Sequence, residues 1–154
     1  MPYWLLKSEP QAYSIGDLQQ DGRAIWDGVR NYQARNYLRQ MQPGDWGFFY
    51  HSNTKPPGIA GLMRVTAGNV TDPTQFDPQD PHYDPKSRPE APRWQTVEVE
   101  YWETFARYLS IATLKATFGP EELLAVKRGN RLSVMPVGDS VAERILQMAH
   151  EAGS

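Results

Sequence analysis

The stretch "TDPTQFDPQDPHYDPKSRPEAPR", residues 71–93, restricts the possible folds more than any other. Four Asp-Pro pairs recur in it, at 72–73, 77–78, 80–81 and 84–85. Each proline removes a backbone N–H and locks φ, so neither a helix nor a central strand can run through the segment. A long surface loop is expected there, an irregular series of turns rather than a fold-level repeat. Strand-like sequence resumes directly after it, so the loop marks no domain boundary. A chain of 154 residues suits one domain, spanning 1–154, that buries roughly two thirds of the surface its unfolded form exposes.

Around that loop the periodicities define the other elements. "PYWLLKS" reads as a first strand, and "YSIGDLQQDG" as a short helix capped by Ser14 and closed by Gly22. "IWDGVRN" is a bend. From Asn31, a plausible N-cap, "YQARNYLRQMQ" predicts a helix ending at Pro43-Gly44. Its apolar positions Ala34, Leu38 and Met41 share one face, and Arg35 and Arg39 form a ridge beside it. "DWGFFYH" and "GIAGLMRVTAGNV" read as strands. In "WQTVEVEYWETFARYLS", Val97, Val99 and Tyr101 alternate with Glu98, Glu100 and Glu103, the period of a half-buried strand. Ser110 caps "IATLKATFG", "PEELLAV" makes another helical turn, and "RLSVMPV" is a late strand. "GDSVAERILQMAHEAG" closes the chain as an amphipathic helix with Val141, Ile145, Leu146 and Met148 or Ala149 inward. Five or six strands interrupted by short helices, joined by hairpins rather than regular βαβ units, predict an α+β fold around a small barrel.

Composition removes several functions. With no cysteine there is no disulfide, thiolate nucleophile or Cys-type metal site. The start lacks the apolar run of a secretion signal, and nowhere do eighteen apolar residues run together, so a cytoplasmic protein with no membrane partner is expected. Three scattered histidines and no EF-hand spacing predict no metal, and no G-x-G-x-x-G or P-loop predicts no nucleotide cofactor. Lysine plus arginine number 16 against 18 acidic residues, so the whole molecule does not attract nucleic acid unspecifically. Two stretches depart from that balance. Arg30, Arg35 and Arg39 lie in one with a single acid, Asp27, after Arg23. Lys127, Arg128 and Arg131 lie in "VKRGNR" with none. These are either solvated faces or patches that track a few phosphates.

Three segments put polar groups where core is expected: "KSEP" with Lys7, Ser8 and Glu9; "WDGVRNYQARN" with Trp26, Asp27, Asn31 and Tyr32; and "YHSN" with Tyr50, His51 and Ser52. Strand ends and a helix N-terminus converging on one mouth would offer hydroxyls, amides, a carboxylate and free N–H groups beside aromatic faces, which suits a planar heterocycle. Trp26 fits core and pocket wall equally, Asn31 fits a plain cap, and Glu9 and His51 fit ordinary strand ends.

"YWLLKSEP", "YSIGDL", "WDGVRNYQARNYLRQM", "GDWGFFYHSN", "GIAGLMRV", "DPKSRPEAPRWQTVEV" and "RLSVMPV" together resemble the EVE domain family over residues 3 to about 146, in order. The resemblance implies a PUA-like pseudobarrel of five to six mixed strands surrounded by short helices, related to the YTH domain. It also implies a non-catalytic reader of a modified base in RNA or DNA. By that similarity Trp26 is the candidate cage wall, Asn31 and Ser8 are edge-readers, and Trp94 and Tyr50 are further aromatics.

Energetics constrains such a reader. Taking a base out of a duplex costs a few kcal/mol, and stacking on aromatics returns roughly 1–3 kcal/mol per base. Phosphate contacts or an already unpaired strand must supply the rest. A buried methyl contributes about 0.8 kcal/mol, so selectivity needs a shaped cage and edge hydrogen bonds, each mismatch of which costs about 1–3 kcal/mol. Two other classes fit the sequence. One is an enzyme acting on a nucleobase or small heterocycle with Glu9 or Asp27 and His51 as an acid–base pair. The other is a protein-interaction or small-molecule module. A monomer is expected in each case.

Overall fold

The computed structural model describes residues 2–151. In chain order the elements are β1 (Tyr3–Ser8), α1 (Ile15–Asp21), β2 (Arg23–Ile25), α2 (Tyr32–Gln40), β3 (Trp46–His51), β4 (Gly58–Thr71), β5 (Gln95–Ser110), α3 (Ile111–Thr117), β6 (Val134–Val137) and α4 (Asp139–His150). Short 3-10 turns occupy Pro73–Phe76 and Leu124–Val126. The fold is α+β, and the expected strands and helices are present. The strand β2 is an addition. The last residues of the expected closing helix, 152 and 153, lie outside the described residues.

One six-stranded mixed sheet runs in the order β2-β5-β4-β3-β1-β6. Its edges, β2 and β6, do not pair, so the pseudobarrel stays open. Only β1 and β3 are parallel, because the chain crosses through α1, β2 and α2 between them. The other pairs are antiparallel. Register shifts punctuate the long β4–β5 ladder at Ile59/Gly61, Leu62/Met63, Val65/Ala67 and Ala67/Val70, and such bulges bend a sheet toward closure. Gly61 sits at one of them, where a β-carbon would stand 2.5 Å from the Glu103 carbonyl oxygen. Only glycine lets the two backbones approach so closely.

Strand alternation divides the core in two. Leu5, Phe48, Tyr50, Leu62 and Phe105 face α3 and α4, whereas Trp4, Leu6, Phe49, Met63, Val97 and Val99 face α1 and α2. The amphipathic faces read from the sequence supply the covers: Ala34, Leu38 and Met41 from α2, and Val141, Ile145, Met148 and Ala149 from α4 are buried. The Ser14 hydroxyl accepts the Asp17 N–H while the Asp17 carboxylate accepts the Ser14 N–H, a capping box that fixes where α1 begins. Among the described residues no helix is long and apolar enough to cross a membrane.

The parallel pair brings two chain exits together at one end of the sheet. Ser8 and His51 are register partners at the carboxyl ends of β1 and β3, and the Ser52 N–H donates to the Ser8 carbonyl at 3.0 Å. Crevices beyond the carboxyl ends of parallel strands are where such sheets hold ligands.

Candidate functional site

A hollow of about 1000 Å³ opens at this end of the sheet, the upper end of the usual size of ligand sites. Lys7, Ser8 and Glu9 enter it from the end of β1, Tyr13 and Asp21 from either end of α1, and β2 forms one side. The bend from Trp26 to Arg30 forms the back, Ser52 comes after β3, Pro73 and His82 come from the proline-rich loop, and Arg131 and Ser133 precede β6. Of the residues expected from sequence, Lys7, Ser8, Glu9, Trp26, Asp27 and Ser52 share this hollow, as do Arg30 and Arg131.

Most of these groups are already held. The Ser8 hydroxyl donates to the Tyr13 carbonyl at 2.7 Å. The Glu9 carboxylate accepts from the Asn53 amide at 3.2 Å, and its carbonyl accepts the Ala12 and Tyr13 N–H groups, closing the turn into α1. Burial, and then hydrogen bonding to Asp21 at 2.8 Å, pushes the Tyr13 phenol well above its ordinary value, so it stays protonated. Burial pulls the Lys7 ammonium down from its usual range; it lies 5.5 Å from the Tyr50 ring centre. Trp26 is only 6% exposed. Its ring meets Phe49 edge-on at 5.2 Å, its backbone N–H donates to the Val97 carbonyl, and its carbonyl accepts the Thr96 hydroxyl. The indole is therefore both core and wall, and offers the hollow a small fixed patch.

Asp27 differs. Burial first, and then the neighbouring Asp72, raise its carboxyl above the ordinary range, outweighing the opposing influence of His82 and Arg30. A raised folded-state value means that the ionised form is disfavoured in the fold, so Asp27 costs stability at pH above that value and the cost fades as pH falls through it. Asp27→Asn is expected to raise the melting temperature at pH 7, with the gain shrinking toward about pH 4 in parallel thermal melts.

The proline-rich loop is latched to the rim through Asp72. Its carboxylate accepts the Gly28 N–H at 2.8 Å, the Thr74 N–H at 2.8 Å, the Thr74 hydroxyl at 2.6 Å and the Arg30 guanidinium at 3.0 Å. Burial alone would raise this carboxyl, but the bonds from Thr74, Gly28 and Arg30 outweigh it and hold it below the usual carboxylate range. Gly28 has φ +82°, and a β-carbon there would lie 2.8 Å from the His82 ring, so the loop rests directly on the bend. Inside the loop, the buried Gln75 amide donates to the Asp72 and Trp94 carbonyls and accepts from the Ser87 hydroxyl and the Trp94 N–H.

A second, shallower hollow of about 420 Å³ lies alongside, lined by Asn31, Gln33, Lys127, Arg128, Asn130 and Arg131 among others. Arg131 borders both. The ion pairs among the described residues involve Arg23, Arg30, Arg107, His82 and His150, leaving Lys127, Arg128 and Arg131 without an acidic partner.

Several sequence expectations are corrected by this geometry. Asn31 borders the second hollow, not the first, and its side-chain oxygen accepts the Ala34 N–H at 2.9 Å as a cap. Tyr50 is buried on the opposite face of the sheet, where burial and then Tyr108 push its phenol up to about 12. The His51 Nε2 accepts the Ile15 N–H at 3.1 Å and burial lowers its proton affinity; among the described residues no hydrogen bond joins it to Glu9 or Asp27, the pair that the alternative enzyme reading requires. Trp94 is buried beneath Tyr32, with its indole N–H donated to Asp84 at 2.8 Å, away from the hollow. Arg30 is spent on Asp72, Thr74 and the Val29 and His82 carbonyls. Arg35 donates to the Arg93 carbonyl and Arg39 to the Gln95 side chain, so both tie α2 to the loop end. Tyr13, Asp21, Arg23, His82 and Ser133 also line the hollow, and no local feature of the sequence marks them.

A mixed sheet with one parallel pair, helices on both faces and a hollow at the parallel strand ends defines a PUA-like α+β domain. A YTH domain from Zygosaccharomyces rouxii has the same fold at a TM-score of 0.56 with 15% identity, over 99% of this chain and 89% of that one. The chain belongs to the EVE domain family, whose model matches residues 2–148. It is similar to thymocyte nuclear protein 1 from Homo sapiens, 39% identical over 99% of this chain and 76% of that protein. A Pseudomonas syringae protein of known crystal structure superposes at a TM-score of 0.91 with 45% identity, covering 96% of this chain and 99% of its own. The human THYN1 protein, solved in complex with 5-methylcytosine containing DNA, superposes at 0.89 with 38% identity, covering 99% and 100%.

Proposed function

We propose that this domain is a non-catalytic reader of a modified nucleobase, which it takes into the hollow between β1, β2 and the bend at Trp26. The observation that carries this reading is the pairing of a walled hollow with an unpaired cationic groove that share one residue, Arg131. A base in the hollow would rest against the Trp26 patch, with Ser8, Asp27 and Ser52 as candidate partners for its edge. The strand that carries it would run along Lys127, Arg128 and Arg131, whose charges are free to meet phosphates. The structure of the human THYN1 protein with 5-methylcytosine containing DNA supports a methylated base as ligand. An unpaired strand suits the energetics best, since no base pair needs to be broken. Location in the cytoplasm is part of the same proposal.

The test is a fluorescence titration of single-stranded oligonucleotides that differ only in one central 5-methylcytosine or cytosine. The methylated strand is expected to bind more tightly, and Asp27→Ala, which removes a hollow-lining group without touching the basic groove, is expected to reduce that preference. Equal binding of the two strands by the unaltered protein would overturn the reading.

A further inference from the structure

Beside the hollow stands an aromatic group that the base-reading role does not use. Tyr32, the first residue of α2, is 51% exposed, an unusual position for a ring so closely held. Its inner face stacks on the buried Trp94 at 4.9 Å with 20° between the planes. The Arg35 guanidinium lies 4.6 Å from the Tyr32 ring centre and 5.8 Å from that of Trp94. A guanidinium on the far face of Tyr32 would stand nearly twice the stacking distance from Trp94, so Arg35 flanks the pair at its side. With Trp94 on one face and half of the residue exposed, the far face of Tyr32 is the one left toward solvent.

The backing is rigid. Trp94 is fixed by its indole N–H to Asp84, by its backbone to the Gln75 amide, and by Arg30 at 5.2 Å from its ring. Arg30 also borders the hollow, so one guanidinium and one indole separate the hollow from the Tyr32 ring. The neighbours of Tyr32 on either side, Asn31 and Gln33, border the basic groove. Exposed, pre-oriented aromatics beside cationic grooves are how proteins hold unpaired nucleotides: every base has a π-face, and the ring loses little freedom on binding.

We infer that the open face of Tyr32 is a second nucleotide subsite, which stacks an unpaired base neighbouring the one held in the hollow. This rests on the reading of the hollow as a base site and extends it: the ligand is a strand with an unstacked step, and its affinity has a contribution from a base whose identity is not read. Stacking is indifferent to sequence, so the subsite adds affinity without adding specificity.

The experiment is a two-way comparison at fixed salt. One single-stranded hexanucleotide carries a central 5-methylcytosine with ordinary neighbours; a second carries the same central base between abasic sites, which keep the phosphates and remove the stacking partners. The unaltered protein is expected to bind the first more tightly, by about 5- to 150-fold, the range that one stacked base confers. Tyr32→Ala is expected to bring the first strand down to the affinity of the second and to leave the second unchanged, and Tyr32→Phe to keep the difference. Equal weakening of both strands by Tyr32→Ala, or none of either, would overturn the subsite. Loss of preference between methylated and unmethylated strands by the unaltered protein would instead overturn the hollow, so the two failures are told apart.

Discussion

Replacing Asp72 by alanine is expected to destabilise the fold by about 3 kcal/mol in urea unfolding at about pH 7. The side chain is 2% exposed and accepts four hydrogen bonds, one of them charged. Breaking a buried ion pair by removing one partner costs about 3–5 kcal/mol. The lower end applies because the Arg30 side chain is 21% exposed and can turn to water. Asp72→Asn keeps the size and one acceptor oxygen, and is expected to fall between the two. The pH dependence has a definite sign. Because the folded-state value of Asp72 is depressed, its contribution is complete above the ordinary carboxylate value and is lost as pH falls through the lower one. The gap between the unaltered protein and Asp72→Ala should therefore close below about pH 4. The latch joins the proline-rich loop to the bend, so faster amide exchange at Gly28 and Thr74 should accompany the loss. A change under about 1 kcal/mol would mean that the loop holds its place by other contacts.

That loop also shows where sequence reading succeeds and stops. The prolines announce a segment without regular structure, and the fold obliges. Yet nothing distinguishes Asp72 from Asp77, Asp80 or Asp84 in the sequence, although only Asp72 of these is buried. Caps and periodic faces are legible because their physics is local: Ser14, Asn31 and Ser110 each cap the helix after them, and Ala34, Leu38 and Met41 sit on one stripe. The short strand β2 escapes such reading because three residues carry no measurable alternation; only its pairing with residues 98–100 makes it a strand. The hollow is partly legible, since Lys7, Ser8, Glu9 and Ser52 sit at the ends of two strands that prove to be parallel neighbours. Asn31 shows the limit: one amide serves equally as cap or as base reader on paper, and the orientation that satisfies Ala34 decides it. Trp94 and Tyr50 show another: an indole or a phenol in a strand-like run reveals neither which face of the sheet it takes nor which ring stacks on it. His82 and Ser133 arrive at the rim from distant parts of the chain, and such convergence leaves no trace in a single sequence.

Removing the three groove charges together, Lys127→Ala with Arg128→Ala and Arg131→Ala, is expected to give the largest loss of binding. For single strands each neutralised phosphate contributes about −0.7 to the slope of log K against log salt concentration. Three contacts thus give a slope change of about 2 and, at about 0.1 M salt, an affinity loss of about 100-fold for methylated and unmethylated strands alike. The preference between those strands should survive in the triple variant, since most of the hollow stays intact, whereas Asp27→Ala should do the reverse and leave the salt slope nearly unchanged. The arginines of the bend and of α2 make a different comparison. Arg30 is held by Asp72, Arg35 by the Arg93 carbonyl and Arg39 by Gln95, so their charges are already engaged with the proline-rich loop and its end. Arg39→Ala is therefore expected to alter the slope by much less than Arg128→Ala, although the two residues are alike in sequence as members of arginine-rich stretches. Salt titrations by fluorescence anisotropy separate these cases. If the slope in the triple variant moves by less than about one, the strand leaves the hollow by another route and the groove at residues 127–131 is only a solvated face.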